Sequence, residues 1–313
     1  MGLTKGFDTI TNCRICGSGN LSEILDLGLQ PLANSLKKKP NNKEDKFPLS
    51  ISFCPVSSLL QLNETIDKEV LFDHYVWVTG TSGTARSYAT AFAERIIEIA
   101  GIALEDFIVE VASNDGTFLK PFIGKGFRNV LGVDPAANVA EVANKRGIRT
   151  VPEYWSSALV NELILEFGNA KVVIARNVIP HVSDLLDVMA GIELMLREDG
   201  VGVIEFHDAG KIQTELNYDS IYHEHLCYFS IDSMTCLLKR FDLNPFHVEK
   251  SYISGGSWVI FFSKKARKKS AELDQAVRME DDSNVNHLSA WQDFARRASE
   301  HRQKTLEILD SLR

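Results

Sequence analysis

Between residues 107 and 206, short apolar segments alternate with amphipathic ones, and this alternation limits the fold more than any other feature. The apolar segments are short and rich in β-branched residues, as buried parallel strands are. They lie at residues 107–112, 130–133, 171–175 and 201–206. Helical patterns separate them, for example at 136–145 and 185–196. We therefore predict an α/β fold with a doubly wound, mostly parallel sheet, whose ligand binds at the carboxyl ends of the strands.

Polar residues at the ends of these strands predict a cofactor site. Glu110 lies inside the first strand, and the turn Ser113, Asn114, Asp115 and Gly116 precedes a helix expected to begin at Thr117. Such a turn lets backbone approach a ligand, and a helix start offers free N–H groups. Asp134, after the second strand, is suited to bind two ribose hydroxyls. Further candidates are Tyr154 and Trp155, which could flank an adenine, and Asn177 after the strand at 171–175.

Two phosphate-binding motifs are missing from this region. The first strand is not followed by Gly-x-Gly-x-x-Gly, and the chain has no Walker-type phosphate loop. A pyrophosphate needs the close backbone approach that these motifs provide. S-adenosylmethionine carries an adenosine and an amino acid but no phosphate, so it fits this sequence better than a dinucleotide does.

The stretch Tyr222-His223-Glu224-His225 concentrates groups that transfer protons. Histidine titrates near neutral pH, and a neighbouring carboxylate or phenol can orient it and raise its basicity. The stretch therefore predicts general acid–base chemistry. His207, after the strand at 201–206, is a weaker candidate for the same pocket, whereas we interpret His223 as structural.

Cysteines near the N-terminus are spaced as in a zinc knuckle. Cys13 and Cys16 form a Cys-x2-Cys pair, and Cys54 begins a second pair whose partner position is Ser57. A serine hydroxyl is a poor zinc ligand because it stays protonated at neutral pH. Either His74 or a water molecule completes the site, or the knuckle holds no metal. The segments at 50–53 and 59–62 alternate like strands and predict a hairpin around it.

Composition narrows the classes of protein. The chain is 44% hydrophobic and 24% charged, as soluble globular proteins are, and its net charge of −8 argues against binding nucleic acid or an anionic membrane. It has no apolar stretch of about 18 residues and no apolar signal segment at the start. We expect a cytoplasmic protein, a monomer or a weak homodimer.

These motifs together resemble the S-adenosylmethionine-dependent sugar C-methyltransferases, which act on nucleoside-diphosphate 4-keto-6-deoxy sugars. The resemblance is carried by residues 13–16, 26–32, 109–119 and 221–225 and by His181. It implies an N-terminal zinc-binding domain at 1–70, a methyltransferase core at 71–265, and the start of a third domain at 266–313. It also implies that Tyr75 and Ser82 close over the cofactor, and that Tyr222, Glu224, His225 and His181 face the sugar.

Two features depart from that family. Ser57 replaces the expected fourth cysteine. The family continues beyond the position of Arg313 into a Gly-rich element, so we expect the C-terminal domain to be missing here. On this interpretation the amphipathic helix at 290–313 has an apolar face that would have packed on the missing domain.

Carbon methylation beside a ketone requires removal of a proton to give an enolate, which then attacks the methyl group in line. We assign His225 as the base and Glu224 as its orienting or relaying partner. Tyr222 and His181 are candidates to stabilise the enolate oxygen, and the roles of Tyr222 and His225 could be exchanged. Two alternatives stay open: an inactive or regulatory fragment that only binds S-adenosylmethionine, and a small-molecule O- or N-methyltransferase.

Overall fold

The structure is a computed structural model, which describes residues 6–35, 44–67, 71 and 78–312. The strands in these ranges are β1 (Phe7–Thr9), β2 (Ser22–Pro31), β3 (Lys46–Cys54), β4 (Leu59–Leu62), β5 (Glu64–Ile66), β6 (Ile108–Val111), β7 (Val130–Val133), β8 (Thr150–Val151), β9 (Ala170–Arg176), β10 (Leu196–His207), β11 (Cys227–Tyr228), β12 (Asn244–Ser251) and β13 (Ser257–Ser263). The helices are α1 (Gly83–Ala100), α2 (Lys120–Gly124), α3 (Ala137–Lys145), α4 (Ser157–Phe167), α5 (Leu185–Met195), α6 (Ala209–Glu215), α7 (Ile231–Lys239), α8 (Ala271–Ser283) and α9 (Leu288–Ser311).

The chain divides into two compact units, each assembled from separate segments. The first unit comprises Met1–Leu71, His207–Leu237 and Gln275–Arg313. The second unit comprises Phe72–Phe206 and Leu238–Asp274. The three domain ranges expected from the sequence, 1–70, 71–265 and 266–313, stay a prediction.

The second unit is built on the predicted sheet. Within the described residues this sheet has seven strands in the order β12-β13-β10-β9-β6-β7-β8. Strand β6 pairs in parallel with both β7 and β9, and β9 pairs in parallel with β10, whereas β12 and β13 are antiparallel. The prediction of a doubly wound, mostly parallel sheet is therefore confirmed. The order of the strands reverses at β6, which is where such sheets bind ligands.

Local sequence explains why these elements form. All four residues of β6 and of β7 are buried, which accounts for the apolar composition of both strands apart from Glu110. Helix α1 begins after Ser82, whose side chain accepts a hydrogen bond from the backbone N–H of Ala85. It ends at Gly101, which adopts the left-handed conformation. Phe92 of this helix packs edge-on against Phe118 in the core, with the ring centres 5.7 Å apart.

The helix after β6 begins later than the sequence predicted. We expected it at Thr117, but α2 begins at Lys120. The side chain of Asp115 accepts hydrogen bonds from both the backbone N–H and the hydroxyl of Thr117. These bonds hold the chain in a further turn before helical geometry starts.

The first unit contains the predicted hairpin. Strands β3 and β4 are antiparallel, with Cys54 opposite Leu59, so the prediction of strands at 50–53 and 59–62 is confirmed. They belong to a four-stranded sheet of the described residues with the order β11-β4-β3-β2, while β1 pairs with β5. Among the helices of the described ranges, none combines the length and apolar composition needed to cross a membrane.

The long C-terminal helix α9 packs within the first unit. Trp291, Phe294 and Ala298 are buried, and the indole N–H of Trp291 donates to the carbonyl of Val285. Arg297 donates to the carbonyl of Gln213 at 2.6 Å. The expectation that this part of the apolar face needs a missing domain is wrong, because residues of the same unit already cover it.

Candidate functional site

Glu110 is a deeply buried acid near the carboxyl edge of the sheet. Its side chain is only 2% exposed, and burial raises its pKa to about 8 although the charge of Arg176 opposes this shift. One carboxyl oxygen, Oε2, is buried without a hydrogen-bond partner among the described residues. A buried acid of this kind favours a ligand that brings a positive charge, because that charge would stabilise the carboxylate.

The turn after β6 is held in an unusual backbone conformation. Ala112, Asn114 and Gly116 all have positive φ angles, of 52°, 51° and 74°. Such angles are uncommon for residues other than glycine and concentrate at functional sites. A Cβ atom at Gly116 would collide with Ile148, so this position also requires glycine for space. The predicted turn is therefore a rigid, specifically shaped element.

The segment before α1 lies directly on this turn. The backbone N–H of Thr79 donates to Asn114 Oδ1 at 2.9 Å, and a Cβ at Gly80 would collide with the Asp115 carboxylate. Asp115 is fully buried and pairs with Arg146 at 2.6 Å. Asp115 therefore fixes the shape of the turn. Two residues were expected to close over the cofactor. Ser82 caps α1. Tyr75 lies outside the described residues.

Asp134 follows β7 and Asn177 follows β9, the two strands that flank β6, and both were predicted at strand ends. Asp134 accepts hydrogen bonds from the backbone N–H groups of Asn114 and Ala136, at 2.7 and 2.9 Å. Burial raises its pKa, and these two bonds oppose the shift. Asn177 has a φ of 48°, and its Oδ1 is buried without a partner in the part of the chain that the structure describes.

Three buried polar atoms at this edge of the sheet have no hydrogen-bond partner among the described residues, as expected if a polar cofactor binds here. They are Glu110 Oε2, Ser113 Oγ and Asn177 Oδ1. Folded proteins seldom leave such atoms unpaired, so each one points to a group that is present in the functional state. Two acceptors and a hydroxyl suit the ammonium and ribose hydroxyl groups of S-adenosylmethionine, and these residues therefore fit that cofactor.

The predicted adenine-flanking pair separates in the structure. Tyr154 is 48% exposed, whereas Trp155 is 7% exposed and its indole N–H donates to the carbonyl of Val188 at 3.2 Å. Trp155 thus packs between α4 and α5, where a Cβ at Gly191 would collide with its indole nitrogen. A role for either residue at the adenine stays a prediction.

Sequence reasoning missed a buried charged network in the second unit. Arg176 forms an ion pair with Glu205 at 2.7 Å, and the hydroxyl of Tyr88 donates to the same carboxylate at 3.0 Å. The guanidinium of Arg176 also lies 3.1 Å from the centre of the Phe118 ring. The signal available in the sequence was the pair of charged residues near the ends of two otherwise apolar strands.

In the first unit, the structure brings Tyr222 and His225 together. The Tyr222 hydroxyl lies 2.8 Å from His225 Nε2, and His225 Nδ1 lies 3.1 Å from the carbonyl oxygen of Ser220. His225 is 5% exposed. The ring of His207 packs edge-on against that of His225, with centres 4.9 Å apart. Tyr222 and His225, two of the residues predicted to transfer protons, thus lie in contact, with His207 beside them.

Glu224 has a different neighbour from the one expected. Its Oε1 accepts a hydrogen bond from the side-chain amide of Asn34 at 2.6 Å, and burial raises its pKa while that bond opposes the shift. Asn34 follows β2, and sequence reasoning assigned it no role. His223 is buried against Phe47, with Nε2 3.1 Å from the carbonyl oxygen of Pro48, and burial lowers its pKa.

His181, the remaining catalytic candidate, lies in the second unit. It ends the short 3-10 helix Ile179–His181 after β9, and its backbone N–H donates to the carbonyl of Val178. The imidazole is partly exposed. Its role as a stabiliser of the enolate oxygen stays a prediction.

The predicted cysteines form one cluster in the first unit. The Sγ atoms of Cys13, Cys16 and Cys54 lie within 4.8 Å of one another, and Ser57 Oγ is 3.1 Å from Cys13 Sγ. Burial raises the pKa of the Cys13 thiol to about 12, so a bound cation is needed to hold it as a thiolate near neutral pH. Three sulfurs at this spacing fit zinc. His74, the other candidate ligand, lies outside the described residues.

Three protein families match successive parts of the chain. Residues 13–72 match a zinc binding domain, residues 85–248 a methyltransferase domain, and residues 252–313 a C-methyltransferase C-terminal domain. The second match covers more than half of the chain, which therefore belongs to the methyltransferase-domain family. The three matches follow one another along the chain in the order zinc binding domain, methyltransferase domain and C-methyltransferase C-terminal domain. The expectation of a missing C-terminal domain is wrong, because residues 252–313 match it.

Individual proteins resemble the chain to different degrees. C-methyltransferase NovU of Streptomyces niveus is 32% identical over 259 residues, which are 82% of this chain, and the chain spans 61% of NovU. A solved S-adenosylmethionine-dependent methyltransferase from Clostridium acetobutylicum has a TM-score of 0.46 at 13% identity, covering 64% of this chain and 96% of its own. Another from Anabaena variabilis has a TM-score of 0.45 at 13% identity, covering 56% and 84%.

Proposed function

We propose that the protein transfers a methyl group from S-adenosylmethionine to a carbon next to the ketone of a nucleoside-diphosphate 4-keto-6-deoxy sugar. The matches to a methyltransferase domain and to a C-methyltransferase C-terminal domain support the reaction class. The similarity to C-methyltransferase NovU supports carbon as the acceptor atom, and the family resemblance of the motif at residues 221–225 supports a sugar substrate. The observation that carries the mechanism is the hydrogen-bonded pair of Tyr222 and His225.

The partners of His225 define its tautomer. The carbonyl oxygen of Ser220 can only accept a hydrogen bond, so His225 Nδ1 carries the proton. In the neutral imidazole the lone pair then lies on Nε2, where it accepts the hydroxyl proton of Tyr222. A substrate proton cannot reach Nε2 unless the phenol first moves away.

This arrangement supports the exchanged roles that the sequence left open. Tyr222 acts as the base: its oxygen takes the proton from the carbon beside the ketone, and its own proton passes to His225 Nε2. The electron pair of the broken C–H bond moves to the ketone oxygen and forms the enolate. His225 becomes a cation, which the Ser220 carbonyl stabilises. The enolate carbon would then take the methyl group, whose bond to the sulfonium sulfur breaks so that neutral S-adenosylhomocysteine leaves.

The cofactor supplies an electrophilic methyl group on a sulfonium. Glu110, Ser113 and Asn177 would hold it through the buried atoms that lack partners among the described residues. The rigid turn after β6 fixes the position of these groups before the ligand binds, which lowers the entropy cost of reaching a reactive geometry. Glu224, held by Asn34, and His181 are the further side chains assigned to the sugar.

A methyl-transfer assay with matched variants tests the proposal. Tyr222→Phe and His225→Ala should lower turnover by about 10²–10⁴-fold, the usual contribution of a positioned acid or base. Binding of S-adenosylhomocysteine, measured by calorimetry, should change little in both. The control is Tyr228→Phe, because Tyr228 is a buried phenol whose ring also packs on His225.

The same assay separates the alternatives. Full activity in Tyr222→Phe and His225→Ala would contradict the assignment of the base. A wild-type protein that binds S-adenosylhomocysteine but transfers no methyl group would be a regulatory or inactive binding protein. Methylation of an oxygen or nitrogen would identify a different methyltransferase class.

A further inference from the structure

The cysteine cluster presents three corners of a tetrahedral metal site. With zinc–sulfur bonds of about 2.3 Å, two sulfurs on one tetrahedral zinc lie about 3.8 Å apart. Cys16 Sγ and Cys54 Sγ are 3.6 Å apart, close to that value. The backbone N–H of Cys16 points to Cys13 Sγ at 3.5 Å, as expected for a knuckle turn. This sulfur–sulfur distance fits zinc ligands, and the group at the fourth corner of the tetrahedron determines the type of metal site.

Ser57 lies at that corner. It follows Cys54 by three residues, as Cys16 follows Cys13, and it is in the tight turn between β3 and β4. The side chain is 1% exposed, and its Oγ is 3.1 Å from Cys13 Sγ. The serine oxygen is thus beside one of the three sulfurs and away from bulk water.

A neutral oxygen at this position keeps the buried charge of the site small. Zinc with three thiolates carries a net charge of −1, and a neutral hydroxyl leaves that charge unchanged, whereas a fourth thiolate would make it −2. Cys13 and Cys54 are 4% and 0% exposed, and a larger buried charge costs more desolvation. Arg14, next to Cys13 in the chain, carries one positive charge in this part of the unit.

We propose that this chain binds zinc through the thiolates of Cys13, Cys16 and Cys54, with the Ser57 hydroxyl as the fourth ligand. The site is then of mixed sulfur and oxygen type. Because a neutral hydroxyl binds zinc more weakly than a thiolate does, the metal is held less tightly than in a four-cysteine knuckle. The proposal concerns metal binding alone and stands independently of the reaction proposed above.

The test is a metal titration of the full-length protein, stripped of metal under reducing conditions. Co²⁺ reports the ligand set, because the intensity of its sulfur charge-transfer absorption increases with the number of thiolates bound. Zn²⁺ affinity is measured by competition with a chromophoric chelator. The variants are Ser57→Cys, Ser57→Ala and the hydroxyl-retaining Ser57→Thr. Ser52→Ala is the control, since Ser52 is a buried serine two residues before Cys54 in β3.

We expect one metal ion per chain with three-thiolate intensity in the wild type. Ser57→Cys should raise this intensity by about one third and tighten binding, because four thiolates replace three. Ser57→Ala should weaken Zn²⁺ binding about tenfold or more, while Ser57→Thr and Ser52→Ala stay near the wild type. Circular dichroism before metal addition shows whether each variant is folded.

Several results would overturn the proposal. They are no stoichiometric metal binding by the wild type, Zn²⁺ affinity unchanged in a folded Ser57→Ala, and no gain in charge-transfer intensity in Ser57→Cys. Loss of binding in His74→Ala but not in Ser57→Ala would also overturn it, because the histidine would then be the fourth ligand.

Discussion

Replacing Glu280 should uncouple the C-terminal segment from the helix that follows the Tyr222–His225 pair. Glu280 lies in α8 and is 5% exposed. Its carboxylate accepts hydrogen bonds from the backbone N–H groups of Ile231 and Asp232, at 2.6 and 3.1 Å, at the start of α7. Both donors are backbone N–H groups at a helix N-terminus, which have no partner within the helix. The negative carboxylate also lies at the positive end of the helix dipole, which stabilises the helix.

The size of the effect follows from these two bonds. A buried donor left without an acceptor costs about 1–3 kcal/mol, so Glu280→Ala should lower the free energy of unfolding by about 2–6 kcal/mol. Glu280→Gln keeps one acceptor oxygen and should cost about 1–3 kcal/mol. Asp282→Asn is the control, because Asp282 is exposed on the same helix.

The pH dependence gives a second readout. Burial raises the pKa of Glu280 to about 7, although the hydrogen bonds from Ile231, Asn286 and Asp232 oppose the shift. Because the folded-state pKa is higher than the unfolded-state value of 4.5, the folded state binds the proton more tightly. This stabilisation is complete below pH 4.5 and is lost as the pH rises through 7, by about 3 kcal/mol in total.

Urea unfolding followed by circular dichroism between pH 4.5 and pH 8 measures both effects. The free energy of unfolding of the wild type and of Asp282→Asn should fall as the pH rises. Glu280→Gln should lack this pH-dependent contribution. A Glu280→Gln protein with wild-type stability and the wild-type pH profile would refute the role assigned to this carboxylate.

Three further predictions concern the two sites. Asn34→Ala removes the hydrogen bond that opposes the raised pKa of Glu224, so the acidic limb of the pH profile of kcat/KM should move to higher pH; an unchanged limb would contradict this. Affinity for S-adenosylmethionine should rise up to about tenfold between pH 7 and pH 9 as Glu110 loses its proton, and calorimetry should find no such rise in Glu110→Gln. Arg176→Met leaves Glu205 buried without its ion pair and should cost about 3–5 kcal/mol in urea unfolding, and a loss below 1 kcal/mol would contradict that role.

The sheet could be predicted because each of its parallel strands has a recognisable pattern in the local sequence. Buried parallel strands are short and apolar, and β6, β7, β9 and β10 all lie where that pattern indicated. The cysteine cluster could be predicted for the same reason, since Cys13 and Cys16 are joined by one turn. The start of the helix after β6 could not be predicted, because Thr117 forms a hydrogen bond with the side chain of Asp115 instead of beginning the helix.

Contacts between distant residues could not be inferred from spacing. Asn34 and Glu224 are 190 positions apart, and nothing local to either residue identifies the other. The tautomer of His225 depends on the carbonyl of Ser220, a backbone atom that every residue possesses. The expectation that the apolar face of α9 needs a missing domain was wrong because an amphipathic pattern shows that a face is covered but not by what, and Trp291 and Phe294 are buried within the first unit.

The most direct test of carbon methylation uses S-adenosylmethionine labelled with ¹³C in the transferred methyl group. The protein is incubated with this cofactor and a nucleoside-diphosphate 4-keto-6-deoxy sugar, and the product is examined by NMR. We predict that the labelled methyl carbon shows a one-bond coupling to a sugar carbon next to the ketone, and that Tyr222→Phe gives almost none of this product. A methyl group bonded to oxygen or nitrogen, or no labelled sugar with the wild-type protein, would contradict the proposed function.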